Sequence, residues 1–107
     1  MIGKFFDTSV LTPFITSVVD DLVKSCPPGR MHDESKQQAK QLSKVDARVR
    51  LHVDRLASST RLNFYQKAKL GTSLEAALEV AGYAAEFSKS FSYDVVKLLA
   101  VVSSQRH

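Results

Sequence analysis

Phe14, Ile15, Val18, Val19, Leu22 and Val23 recur in pairs four residues apart, which places them on one face of a helix. Thr12 before Pro13 fits an N-cap followed by proline at the first helical position, so the spacing predicts a helix from Pro13 to about Ser25. The run Cys26-Pro27-Pro28-Gly29 cannot continue it, and residues 26–32 read as a loop.

Between Asp33 and Leu70 there is neither Pro nor Gly, so nothing forces a second helix to stop, and Asp33 or Ser35 offers a cap for its start. On a helical wheel Leu42, Val45, Val49, Val53, Leu56 and Thr60 share one side. Lys36, Lys40, Lys44, Arg48, Arg50, Arg55, Arg61 and Lys69 gather on the other. An unbroken helix of that extent would be about 55 Å long, so it must project, bend or pair along its length. Its weakest stretch is Ser58-Ser59-Thr60, three poor helix formers where a kink or short break fits.

Gly71 after Lys67 and Lys69 reads as a helix end, and Thr72-Ser73-Leu74-Glu75 as a capping box that starts the next helix. Leu74, Ala77, Leu78, Ala81, Ala85, Phe91, Val95, Leu98, Leu99 and Val102 continue the apolar stripe. Gly82 marks a bend or break, with further helix from Ala84 to about Ser103. The expected fold is all-α with three or four helices. It contains a long antiparallel helical hairpin turning at Gly71, with a shorter N-terminal helix packed across it through Phe14, Val18 and Leu22.

Composition narrows this picture. A chain of 107 residues has room for one domain, so residues 1–107 are read as a single helical unit. Hydrophobic residues at 44% and charged residues at 24% are ordinary globular usage, which argues against a disordered chain. The lone Cys26 excludes an intramolecular disulfide and suits a reducing compartment. Met1 to Val10 holds no signal-like apolar run, and Val95 to Val102 is interrupted by Lys97 and far shorter than the roughly 20 residues of a bilayer span. A cytoplasmic protein without a membrane span is therefore expected.

Charge adds the first functional hint. From Lys36 to Lys69, nine Lys or Arg stand against Asp46 and Asp54, an excess larger than the chain's whole formal charge of +4, so the remainder is net acidic. Lys36, Lys40, Lys44 and Arg48 form an i, i+4 ladder, with Arg55 further along, and these five are candidate polyanion-binding residues. The same row arises on any solvated helix face, with Glu75, Glu79 and Glu86 of the next helix as candidates to answer it, and no base-reading motif accompanies it. Leu51, Leu62 and Tyr65 lie on the basic side of the wheel and are candidate interface residues towards a second subunit, or else packing residues within the chain. Ala76, Ala77, Ala81, Gly82, Ala84 and Ala85 make the last segment thin enough for another helix to approach closely.

Catalytic and metal candidates are weak. His32-Asp33-Glu34 is a dense polar cluster without metal-ligand spacing, His52 sits within a turn of Arg48 and Arg55, and His107 is terminal. Cys26 falls at a helix C-terminus, where the dipole disfavours a thiolate. Gly3, Gly29, Gly71 and Gly82 are too scattered for a phosphate loop, so no cofactor is expected. These patterns predict a non-enzymatic helical interaction or adaptor protein with a protein partner, quite conceivably a homodimer. The alternative is a nucleic-acid-binding protein that uses the basic face of the second helix.

Overall fold

Helix α1, Leu11–Ser25, buries Leu11, Phe14, Val18 and Leu22, the stripe its spacing requires. It starts two residues earlier than expected: Val10 is the N-cap, and Thr12 lies inside the helix rather than capping it. Pro13 is thus third in the helix, still within the first turn, where a missing N–H costs no intrahelical bond. The Cys26 N–H donates to the Leu22 carbonyl at 2.7 Å, and Pro28–Arg30 follow as a 3₁₀ turn. The computed structural model describes residues 9–30, 36–59 and 62–105, with side chains over 9–29, 44–58 and 62–104.

The segment expected as one helix from Asp33 to Leu70 is two. Helix α2 spans Lys36–Ser59 and ends within the run of poor helix formers. Helix α3 spans Phe64–Val80 and passes straight through Gly71. The capping box is Asn63 with Gln66, not Thr72 with Glu75: the Gln66 N–H donates to Asn63 Oδ1 at 2.7 Å, and the Asn63 N–H to Gln66 Oε1 at 3.0 Å. Thr72 instead turns its hydroxyl back to the Lys69 carbonyl at 3.1 Å. A Cβ at Gly71 would meet Val96 Cγ2 at 3.3 Å, so a larger residue there would make Val96 give by a few tenths of an ångström. The expected caps Asp33 and Ser35 lie outside the described residues.

The hairpin turn sits at Gly82, where the pattern placed a bend. The Tyr83 N–H donates to the Leu78 carbonyl and the Gly82 N–H to the Glu79 carbonyl, the paired bonds of a left-handed helix terminus, with Gly82 at φ 111°. Helix α4, Ala85–Gln105, then returns along α3.

Among the described residues there are four α-helices and no strands, as the all-α expectation required. Helix α1 packs on α2 and α3, and α4 packs on α3 and α2. Phe14 lies by Leu56 and Asp21 by Arg48 and His52, so α1 and α2 run antiparallel. Val45, Val49, Val53 and Leu56 of α2 meet Leu70, Leu74 and Leu78 of α3 and Val95, Leu99 and Val102 of α4 in one core. Phe14, Val18 and Leu22 enter it as expected. The C-terminal end of α1 is closed by Tyr83, which is 4% exposed and donates its hydroxyl to the Cys26 carbonyl at 2.6 Å. Tyr83, Phe87 and Phe91 carry a row of rings up α4, with centroids 5.3 and 5.6 Å apart.

Candidate functional site

Helix α2 has two unlike faces because its sequence alternates at helical period. Its inner face is Val45, Val49, Val53 and Leu56, all buried. Three of these are β-branched and poor for helix propensity, so packing rather than propensity selects them. On the outer face Lys44, Arg48, Leu51 and Arg55 are spaced by four, three and four, which puts them within a sector of about 60° over roughly 16 Å of helix. All four are exposed, Leu51 to 56%. The register carries Lys36 and Lys40 onto the same row, but their side chains lie outside the described residues.

The acid that meets this row is Asp21 of α1. Its Oδ1 stands 3.5 Å from an Arg48 guanidinium nitrogen, and its Oδ2 is 2.7 Å from His52 Nε2. A carboxylate only accepts, so the imidazole nitrogen is the donor. His52 is thereby a strut between α1 and α2, half-buried at the edge of an open groove of about 350 Å³ lined by Val10, Pro13, Phe14, Ser17, Arg55 and Leu56. Asp21 was not singled out from sequence. Its position between buried Val18 and Leu22, at the flank of the apolar stripe, was the available signal.

The candidate interface residues separate. Leu51 is exposed and Tyr65 is 37% exposed, whereas Leu62 is 7% exposed and belongs to the core. Its assignment to the basic side of the wheel fails because α2 has ended before it. Of the small residues expected to thin the last segment, Ala81 packs against the core and Ala77 is half-buried, whereas Ala76, Gly82, Ala84 and Ala85 are exposed.

Two further groups are chemically quiet. Cys26 is buried, and burial first, then the negative charge of Asp46, push its thiol up, away from the thiolate a nucleophile needs. Tyr83 is pushed up to about 12, chiefly by burial and secondarily by Cys26. Among the described residues no cluster of three or more His, Cys, Asp or Glu is arranged to hold a metal ion. His32, Asp33 and Glu34 lie outside those residues. No described helix is long and apolar enough to cross a membrane.

Beyond α2, the exposed large apolar residues include Val80 at 89% and Phe64 at 87%. Neither was singled out from sequence, although each lies about 100° off the stripe of Gln66, Leu70, Leu74 and Leu78 on the wheel. No protein-family model matches the chain, and neither a curated protein nor a solved structure matches it.

Proposed function

We propose that the chain is a non-enzymatic helical interaction protein that presents the outer face of α2 to a protein surface both acidic and partly apolar. The observation that carries this reading is Leu51, exposed among Lys44, Arg48 and Arg55 on one face of a helix whose other face fills the core. Cations alone would serve a phosphate backbone equally well. An exposed leucine at their centre gains nothing from phosphates, and it is aliphatic, so it offers no stacking platform for bases. Against an acidic protein surface, covering its exposed half would add apolar burial worth about 1–1.5 kcal/mol to the charge complementarity.

The reading is tested by titrating the chain, at low ionic strength, with an acidic amphipathic peptide and with an oligonucleotide of equal charge. The expected result is that Leu51→Ala weakens peptide binding by about tenfold, while any weak oligonucleotide binding is unchanged by it and lost with Lys44 and Arg48. Tight oligonucleotide binding insensitive to Leu51, with no peptide binding, would favour the nucleic-acid alternative and overturn the proposal.

A further inference from the structure

Helix α4 carries a second apolar row beside the one that fills the core. Ser88, Ser92, Val95, Leu99 and Val102 are buried, while Phe87, Phe91, Leu98 and Val101 each precede one of these and are covered only in part, Val101 being 48% exposed. With Asp94 among them the row is spaced by four, three, four and three, the repeat along which one helix lies against another, and it runs for roughly 21 Å. Its middle opens into a groove of about 200 Å³ between α2 and α4, walled by Val49, Phe91, Val95 and Leu98 and lined also by Asp46, Arg50 and Asp94. The three charged residues are exposed, and among the described residues none of them enters an ion pair.

We infer that this row is the contact between two copies of the chain, related by a two-fold axis beside Asp94, with Arg50 of each copy pairing with Asp94 of the other. A charge in the middle of an apolar seam opposes association unless the partner answers it, and one that is answered fixes the register. Here the answer lies on the same face. Arg50 and Asp94 line one groove, so the face carries both signs and is complementary to itself, as a two-fold interface requires. A partner charged with one sign only would set either Arg50 or Asp94 against a like charge. The pairing covers Phe91, Leu98 and Val101. It uses none of Lys44, Arg48, Leu51 and Arg55, so it does not rest on the reading of the outer face of α2, and the two stand or fall separately.

The test is light scattering on the full chain, on Arg50→Asp, on Asp94→Arg and on the chain that carries both substitutions. Both positions are exposed, and circular dichroism checks that the helical fold is kept. The wild-type mass is expected to rise with concentration from that of one 11.9 kDa chain to twice that value and no further. Arg50→Asp alone should stay a single chain, because an acid then faces Asp94 of the other copy. Asp94→Arg alone should do the same, because two guanidinium groups then meet. An equimolar mixture of these two variants should form a two-chain complex, since each supplies the sign the other lacks at both contacts, and the doubly substituted chain should pair with itself as the wild type does. The inference is overturned by a wild type that stays a single chain into the millimolar range or grows beyond two, by single variants that pair as well as the wild type, or by a mixture that does not pair.

Discussion

Leu51 and Leu56 belong to the same helix, are the same residue type and lie less than two turns apart, yet one is 56% exposed and the other 6%. Leu56 stands with Val45, Val49 and Val53 in the core, on the helix side that packs against α1 and α4, whereas Leu51 stands more than half exposed among cations. The helix therefore does two separable things. Its inner face fills the core, and its outer face is exposed, tied to α1 at its edge where Arg48 reaches Asp21. A leucine more than half exposed among cations is what makes a basic helix face a candidate docking surface.

The comparison is broken most forcefully from the inside. Leu56→Ala should cost about 2–5 kcal/mol, from lost transfer energy and the cavity left behind, measured as a lower urea midpoint. A smaller loss would mean that the inner face is loosely packed.

Alkaline titration probes the closed end of the core next. The fold holds the neutral phenol of Tyr83, whose pKa is raised from an ordinary value near 10 to about 12. The stability tied to this group is whole below about pH 10 and is lost as pH climbs towards about 12. Absorbance at 295 nm should show a late phenolate step accompanied by loss of helix, and Tyr83→Phe should remove that step.

A milder effect is expected at the polar seam between α1 and α2. Asp21→Ala removes both the His52 and the Arg48 contacts and should cost about 1 kcal/mol. Most of that belongs to the His52 hydrogen bond, since Arg48 is 64% exposed and screened. Adding salt to the wild type should therefore change the unfolding midpoint little compared with the mutation.

How far the sequence reached depended on whether a feature was decided locally. The stripe of α1 and the two faces of α2 over residues 44–56 follow from periodicity and could be read directly, whereas the hairpin turn was expected at Gly71 and Gly82 was read as no more than a bend or break. The division of the second segment could not be read that way. Gly71 followed by Thr72-Ser73-Leu74-Glu75 is a more emphatic stop-and-start signal than Asn63 with Gln66, and locally it is the better motif. What the local motif leaves out is tertiary: α4 lies close over Gly71, where a Cβ would meet Val96 Cγ2 at 3.3 Å, and no local window contains that partner. The same holds for Tyr83, whose hydroxyl closes on a carbonyl 57 positions away. Leu51 was visible as an apolar residue on the basic face, but Leu62 and Tyr65 looked equivalent to it only while the helix was taken as unbroken.

The smallest expected effect carries the most weight. Urea unfolding of Leu51→Ala beside Leu56→Ala tests directly whether the outer face of α2 is a surface or part of the fold. The midpoint of Leu51→Ala should match the wild type to within about 0.5 kcal/mol, while that of Leu56→Ala falls by several times as much. If Leu51→Ala loses as much stability as Leu56→Ala, then Leu51 is covered within the chain itself, and the face it marks is not one that a partner can reach.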